Sequence, residues 1–246
     1  MKEADTIKHN PYDEQAFFEK YEQMDRSKYG LSGAGEWSTL QQLLPDFHHN
    51  RVLDLGCGYG WHCVYAVEQG AKQVVGIDVS EKMIGVAKEK TAGMDNVSYV
   101  QTAIEDVRFD DESFDVVISS LAFHYVESFD RVAKNVHRML ETGGQFVFSV
   151  EHPVFTAAGS QQWHTDEKGN IQHFPVDRYF YEGERDTTFL GETVKKYHRT
   201  LTTYVDTLLT NGFRLDRLVE PMPPASSGME DEMRRPMMLI VRATKR

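Results

Sequence analysis

One stretch, residues 51–78, constrains the fold of this chain more than any other. It begins with the apolar run V-L-D-L, typical of a buried parallel strand, and continues into three glycines spaced G-x-G-x-G: Gly56, Gly58 and Gly60. Such glycines let the chain turn sharply and let a ligand lie against bare backbone at the start of the next helix. A second apolar strand then ends at Asp78. This order predicts a nucleotide-binding βαβ unit in which Asp78 accepts hydrogen bonds from both hydroxyls of an adenosine ribose.

The segments V-L-D-L-G-C-G-Y-G and G-I-D-V-S-E-K-M-I resemble the class I, Rossmann-like S-adenosylmethionine-dependent methyltransferases of the small-molecule type. The resemblance runs motif by motif from Tyr21 to Gly144 and by topology elsewhere. It implies an α/β fold with a doubly wound, mostly parallel seven-stranded sheet, an antiparallel last strand and a small insertion after the fifth strand. It also implies S-adenosylmethionine as cofactor and in-line methyl transfer to a nitrogen, oxygen or carbon atom of a small molecule.

The resemblance further implies where the cofactor binds. In the family, an acid at the position of Asp54 orients the loop and the methionine end of the cofactor, and the strand end at Ser119 faces the sulfonium. Ala103 replaces the acid that commonly binds the adenine amine, so the backbone of Ala103 and Ile104 is expected there, with Glu105 as a substitute acceptor. The predicted cofactor residues are Tyr21, Arg26, Asp54, Gly56, Cys57, Gly58, Gly60, Asp78, Val79, Met83, Ala103, Ile104, Glu105 and Ser119.

Two of these assignments leave an alternative open. Similar methyltransferases carry a lid before their first strand, where Tyr21 and Arg26 are the candidates, since arginine offers a bidentate fork to the methionine carboxylate. A surface arginine is the alternative. Met83 either packs against the adenine or is an ordinary core methionine.

The candidate catalytic residues are three histidines. His124 follows the fourth predicted strand and His152, next to Glu151, follows the fifth, where ligands gather in such sheets. His198 would enter from the insertion, as would Tyr179 and Arg199. Each could help to remove a proton from the acceptor, and a structural role is the alternative for each.

Hydrophobic periodicity divides the chain into a lid (residues 1–45), a cofactor-binding domain (46–151 and 197–246) and a substrate-capping insertion (152–196). One amphipathic helix is predicted over 11–29. Further helices are predicted over 129–140, closed by Gly143-Gly144, and over 198–211. The insertion is expected to form two or three short antiparallel strands around I-Q-H-F-P-V and R-Y-F-Y-E-G, and a polar loop is predicted before the last strand.

Composition argues against several classes of function. A net charge of −11 argues against a nucleic-acid partner, and the group Lys195, Lys196, His198 and Arg199 is expected to be the solvated start of a helix. The N-terminus lacks a signal-peptide core and the chain lacks a membrane-length apolar run. Cys57 and Cys63 are poorly spaced for a disulfide, so a cytoplasmic setting without a metal site is expected.

Two other functions remain open at this stage. The chain could be a nucleotide-binding module without catalysis, which a sealed site would favour. It could also be an NAD-dependent oxidoreductase, which the glycine spacing and the lack of a Tyr-x-x-x-Lys pair disfavour. The oligomeric state does not follow from the sequence.

Overall fold

A seven-stranded sheet forms the centre of the protein, seen in a computed structural model that describes residues 10–223 and 230–246. Residues 1–9 of the predicted lid and 224–229 of the predicted polar loop lie outside the described residues. The strands are β1 Arg51–Leu55, β2 Gln73–Asp78, β3 Val97–Gln101, β4 Phe114–Ser120, β5 Leu140–Glu151, β6 His164–Thr165, β7 Ile171–His173, β8 Gly183–Phe189, β9 Glu192–His198, β10 Phe213–Val219 and β11 Met238–Lys245. The helices are α1 Gln15–Glu22, α2 Asp25–Lys28, α3 Trp37–Leu43, α4 Trp61–Glu68, α5 Glu81–Lys90, α6 Phe129–Met139, α7 Pro153–Thr156 and α8 Leu201–Thr210.

The strand order is β10-β11-β5-β4-β1-β2-β3. The first five strands pair in parallel, and β11 lies antiparallel between β10 and β5. The predicted fold class is therefore confirmed. The chain reverses its direction of strand addition between β1 and β4, and ligands bind beside the carboxyl ends of strands at such a point.

Each face of the sheet carries its own apolar cluster. On one face, α6 and α8 cover the aromatic centre of the core, where Phe129 contacts both Phe148 and Tyr204. On the other face, buried residues of α3, α4 and α5 pack on β1 and β2. Both clusters hold the carboxyl ends of β1, β2 and β4 in fixed positions under the glycine loop.

The helix predicted over 11–29 is wrong as a single element. A 3₁₀ turn (Pro11–Asp13) precedes α1, and Met24 has extended backbone dihedrals that separate α1 from α2. The break lets a second 3₁₀ turn, Gly30–Gly33, pack on α2, where a Cβ at Gly33 would lie 2.2 Å from the Asp25 carbonyl oxygen.

The predicted end of the helix at 129–140 is also wrong. Helix α6 stops at Met139, because Leu140 is extended and already belongs to β5. Gly143 and Gly144 lie inside that strand rather than at a helix end. A Cβ at Gly144 would lie 2.8 Å from the Glu141 carbonyl oxygen, so only glycine avoids a clash with the backbone at this point of β5.

The insertion contains α7 and two antiparallel hairpins, β6-β7 and β8-β9. The I-Q-H segment is a strand as predicted, whereas of R-Y-F-Y-E-G only Gly183 enters β8. Strand β9 ends at His198, so the insertion extends past residue 196, and the next helix starts at Leu201 with Thr200 as its N-cap. We call residues 152–198 the cap and residues 10–45 the lid.

The predicted solvated helix start at residues 195–199 is therefore wrong. Strand alternation turns Lys195 outward and Lys196 and His198 inward, and Arg199 is also buried. No helix in residues 10–223 and 230–246 is both long and apolar enough to cross a membrane.

Candidate active site

The glycine loop leaves β1 and lies against the end of β2. The amides of Gly56 and Cys57 both donate to the Ile77 carbonyl, at 2.9 and 2.8 Å. Gly56, Gly58 and Gly60 all have positive φ. A Cβ at Gly56 would lie 2.6 Å from Ala122 Cβ, and one at Gly60 would lie 2.6 Å from Tyr99 Oη. At Gly58, by contrast, a Cβ would meet nothing within 4 Å, so bare backbone faces open space there.

Asp78 joins this loop to the end of β2. Its Oδ2 accepts a hydrogen bond from the Gly58 amide and its Oδ1 accepts one from the Ser80 amide, both at 2.9 Å. Burial raises the pKa of Asp78, and the hydrogen bonds from these two amides partly offset that increase. Each carboxylate oxygen keeps a second lone pair, so Asp78 has capacity for two more donors. Val79 lies beside it, and its carbonyl accepts from Gln101 Nε2.

Asp54 is buried inside β1 with one oxygen unpaired. Cys63 Sγ donates to Oδ2 at 3.4 Å, while Oδ1 has no hydrogen-bond partner within the described residues. Burial raises the pKa of Asp54 to about 7. A buried acceptor without a donor is costly, so Oδ1 marks a place where a donor belongs. Cys57 and Cys63 are free thiols, as their spacing predicts.

Glu36 is a site residue that the sequence analysis missed. Its Oε1 accepts from Arg26 Nη2 at 2.6 Å and from Ser120 Oγ at 2.9 Å, and Oε2 finds no partner in the described part of the chain. Burial raises the pKa of Glu36, but the nearby Arg26 charge, together with hydrogen bonds from a backbone amide and from Ser120, holds the pKa below its usual value. Arg26 is thus engaged by Glu36 through one nitrogen. No local pattern around Glu36 reveals this, since its partners lie 10 and 84 residues away in the chain.

At the end of β4, the predicted cofactor residue Ser119 has a structural partner. Ser119 is buried and its hydroxyl donates to the Leu55 carbonyl at 2.7 Å, so it ties β4 to β1. Its neighbour Ser120 faces Glu36 instead. Leu121 then adopts φ +52°, a strained left-handed conformation for leucine, held by two hydrogen bonds from its amide to Ser149.

The residues predicted around the adenine are mostly engaged with the protein. Met83 is 2% exposed, which matches the core alternative. Ala103 is the N-cap of the 3₁₀ turn Ile104–Asp106, and Ile104 packs against the main core. Glu105 Oε1 accepts from the Glu127 amide at 2.9 Å and so is already committed to a backbone group.

Four tyrosines, which we call the tyrosine cluster, connect the lid to the glycine loop and to the turn after β4: Tyr12, Tyr21, Tyr59 and Tyr125. Tyr12 contacts Tyr21 and Tyr125 with ring centroids 5.5 and 6.1 Å apart, and Tyr21 contacts Tyr59 at 5.6 Å. The hydroxyls of Tyr12 and Tyr125 lie 3.1 Å apart. Burial raises the pKa of Tyr125, so its hydroxyl stays protonated.

The lid and the cap touch each other beyond this cluster. The rings of Phe17 and Phe189 are 5.9 Å apart, and Lys20 Nζ lies 3.4 Å from Glu192 Oε1. The glycine loop, the ends of β4 and β5, the lid and the cap therefore surround one region.

A buried ion pair lies on the cap side of that region. Lys196 Nζ is 2.6 Å from Glu151 Oε1, and Gln161 bridges the two, donating to Glu151 Oε2 at 2.6 Å and accepting from Lys196 at 3.2 Å. Burial raises the pKa of Glu151, but the Lys196 charge and the hydrogen bonds from Lys196 and Gln161 contribute to a net lowering of this pKa, so the carboxylate stays ionised. Lys196 also faces the rings of Tyr125 and Phe189. The segment T-V-K-K-Y-H carries no apolar–polar alternation, so the inward position of Lys196 becomes visible only in the burial pattern of β9.

The three predicted catalytic histidines are not brought together. His198 has both ring nitrogens engaged, with Thr156 Oγ1 at 2.7 Å and the Tyr179 carbonyl at 2.8 Å. His152 caps α7 through Nδ1 and faces Glu220 Oε1 at 2.8 Å with Nε2. Both histidines therefore have structural partners in the cap, and their catalytic role stays a prediction.

His124 is the histidine that borders the ion pair. The Glu151 amide points at its Nδ1 over a long 3.5 Å contact. Burial lowers the pKa of His124 to about 4, so its ring is neutral at pH 7.

The predicted catalytic candidates Tyr179 and Arg199 also have structural partners. Tyr179 Oη accepts from the Leu201 amide. Arg199 donates to the carbonyls of Phe123 and Glu127, and so joins the end of β9 to the turn after β4.

Comparison with known proteins finds one matching family model and relatives that cover 86% to 95% of this chain. The family model described as "Methyltransferase domain" matches residues 53–148. A putative S-adenosylmethionine dependent methyltransferase from Listeria monocytogenes has a solved structure that superposes with a TM-score of 0.82 at 57% identity, covering 86% of this chain and 98% of that one.

Two further proteins are similar over their full length. An S-adenosylmethionine dependent methyltransferase from Mesorhizobium loti has 39% identity and a TM-score of 0.82, covering 88% of this chain and 100% of that one. An uncharacterized protein from Haemophilus influenzae is 33% identical over 95% of this chain and 96% of its own length.

Proposed function

We propose that this chain, which belongs to the S-adenosylmethionine-dependent methyltransferases, methylates a small molecule enclosed between its lid and its cap. S-adenosylmethionine is its cofactor and supplies, when bound, an activated methyl group on a sulfonium. The observation that carries the proposal is the contact of lid and cap beside the carboxyl ends of β4 and β5, through Phe17–Phe189 and Lys20–Glu192.

The residues at the glycine loop fit this cofactor. Asp78 has lone pairs free for the two ribose hydroxyls, and the open backbone at Gly58 is a cradle that any side chain would fill. Asp54 Oδ1 and Glu36 Oε2 are buried acceptors that receive no donor from residues 10–223 and 230–246, the arrangement that suits the α-ammonium of the methionine end. Arg26 keeps guanidinium donors beyond the one that it gives to Glu36, and we assign these to the methionine carboxylate.

Enclosure argues for a small acceptor. A folded protein or an RNA would require an open face, whereas here the two covering segments meet through an aromatic contact and an ion pair. The net charge of −11 also disfavours a nucleic acid. The buried polar groups on the cap side, Glu151, Lys196 and the Tyr125 hydroxyl, are the groups that we assign to holding the acceptor.

Methyl transfer from a sulfonium places modest demands on acid–base chemistry, because the leaving group is a neutral thioether. The chain's contribution is then to align the acceptor and to exclude water. The Glu151–Lys196 pair is rigid because Gln161 bridges it, so it orients a polar group without moving. Neutral His124 lies beside it as the candidate proton acceptor for a protonated nucleophile.

The test is methyl transfer from labelled S-adenosylmethionine into fractions of a cell extract separated by dialysis into small molecules and macromolecules. We expect label in the dialysable fraction, with Gly58→Val as the control enzyme whose cofactor affinity should be strongly reduced. Label in protein or RNA would overturn the small-molecule proposal. Tight binding of S-adenosylmethionine in calorimetry, with label in neither fraction, would instead favour the non-catalytic module.

A further inference from the structure

A cleft separate from the glycine loop opens between the cap and the start of β11. Its volume is about 310 Å³, within the range of small-ligand sites. Arg234, Arg235 and His173 line it together with four apolar residues: Val154, Phe174, Val176 and Pro236. The function proposed above uses none of these groups.

Arg235 is the unusual group in this cleft. It is 9% exposed, and its guanidinium carbon lies 4.6, 4.7 and 4.5 Å from the ring centroids of Phe155, Trp163 and Phe174. Nη2 pairs with Glu232 at 3.0 Å. Nε and Nη1, by contrast, have no hydrogen-bond partner within residues 10–223 and 230–246.

The aromatic rings stabilise the charge of Arg235 but accept no conventional hydrogen bond from it. The guanidinium therefore presents three N–H donors, one on Nε and two on Nη1, that the described protein leaves unused. Buried donors of this kind are rare in folded proteins and call for an acceptor. Each of these N–H groups can donate a charge-assisted hydrogen bond to a carboxylate oxygen.

We propose that this cleft binds the carboxylate of a small organic acid with a flat apolar body. The carboxylate would accept from the unused donors of Arg235, and the apolar part would lie against Phe174 and the aliphatic walls. Arg234 and Arg235 already pair with Asp231 and Glu232, so hydrogen-bond donors rather than excess positive charge set the preference.

The cleft lies next to the region that the lid and the cap enclose. Val154 lines the cleft and is three residues from Glu151, a chain distance of at most about 10 Å. The His152 amide donates to the Met237 carbonyl at 2.8 Å, which fixes the start of β11 beside the end of β5. The acid is therefore either the methyl acceptor itself or a separate ligand bound next to it.

The experiment titrates the full chain with benzoate, and with benzamide as the neutral match, while Trp163 fluorescence is followed. We expect a benzoate-dependent change that Trp163→Phe removes and that benzamide does not produce. Arg235→Met, which retains an apolar side chain between the rings, should weaken benzoate binding by about tenfold or more. Arg235→Lys, which keeps the charge without the planar set of N–H donors, should show an intermediate loss.

Calorimetric titration with S-adenosylmethionine serves as the folding control, because Arg235 lies outside the predicted cofactor residues. Equal benzoate affinity in the wild type and in both Arg235 variants would overturn the proposal, as would a wild type that does not respond to benzoate. Release of S-adenosylhomocysteine on adding benzoate to the cofactor-loaded enzyme would identify the acid as the acceptor. Binding without such release would identify a separate ligand. The benzoate titration measures binding and no methyl transfer. Its result therefore does not depend on whether the chain methylates a small molecule.

Discussion

The glycine-loop side and the cap side of the candidate site are stabilised in different ways. On the glycine-loop side, backbone amides donate the main hydrogen bonds: Gly56 and Cys57 donate to one carbonyl of β2, and Gly58 donates to Asp78. On the cap side, side chains far apart in sequence meet, as Lys196 does with Glu151. The first arrangement tolerates changes of side chain that preserve the glycines. The second depends on each partner being present.

The largest effect on stability is expected from breaking the buried ion pair. Lys196→Met leaves Glu151 ionised and without its cation in a largely buried site, which should cost about 3–5 kcal/mol in the free energy of unfolding. Urea unfolding measures this. The double variant Lys196→Met, Glu151→Gln removes both charges and should recover most of the loss. A single variant as stable as the wild type would show that the cap side does not depend on this pair.

On the glycine-loop side, the counterpart of Lys196→Met is Gly58→Val. This variant fills the space of the cofactor instead of removing one member of an ion pair. Gly58→Val places a side chain where a Cβ meets no protein atom, so cofactor affinity should fall by about a hundredfold or more. The positive φ adds a cost of about 1–3 kcal/mol in stability, which melting experiments would measure.

Gly56→Val is the contrasting variant for this loop. Its Cβ would lie 2.6 Å from Ala122 Cβ, so it should lose more stability than Gly58→Val does. If Gly58→Val bound S-adenosylmethionine normally in calorimetry, the bare backbone would have no role in binding.

This contrast also explains what the sequence could and could not predict. The strand–glycine loop–strand arrangement of residues 51–78 follows from local patterns, because each part depends on neighbouring residues, whereas the seven-stranded fold was implied by the family resemblance. Glu36 depends on Arg26 and Ser120, and Lys196 on Glu151 45 residues earlier. Neither contact leaves a local signature.

The histidines show the same limit of local patterns. A histidine at the end of a strand has the right chemistry for catalysis, but tertiary partners decide whether its nitrogens are available. His198 is held by Thr156 and by the Tyr179 carbonyl. Its position in sequence, next to the predicted helix start, gave no sign of either contact.

A smaller effect is expected at the ribose position. Asp78→Ala should weaken S-adenosylmethionine binding by about 1–3 kcal/mol, because it removes charge-assisted hydrogen bonds and releases the Gly58 amide. Asp78→Asn keeps an acceptor for one of the two amides and should lose less. Calorimetry gives both affinities. Unchanged affinity in the alanine variant would remove the ribose role from Asp78.

Asp54 should make cofactor binding depend on pH. Its folded-state pKa of about 7 lies above the ordinary value of 3.8, so the unliganded protein loses stability from this group as pH rises from about 4 to about 7. A cationic ligand favours the ionised carboxylate. Affinity for S-adenosylmethionine should therefore increase about tenfold between pH 6 and pH 8. Calorimetry at both values tests this, and Asp54→Asn should remove the dependence. A wild-type affinity that stayed flat over that range would contradict the role of Asp54.

The smallest effect is expected where the lid meets the cap. Lys20 and Glu192 are each close to half exposed, and exposed ion pairs of this kind contribute about 0–1 kcal/mol. Lys20→Gln should therefore leave unfolding almost unchanged. Phe189→Ala should cost more, because its ring contacts the fully buried Phe17 and the Lys196 ammonium. If instead Lys20→Gln lowered stability as much as Phe189→Ala, charge rather than aromatic packing would hold the lid against the cap. High salt would then have to release the lid, and limited proteolysis of the lid at low and high salt would measure that directly.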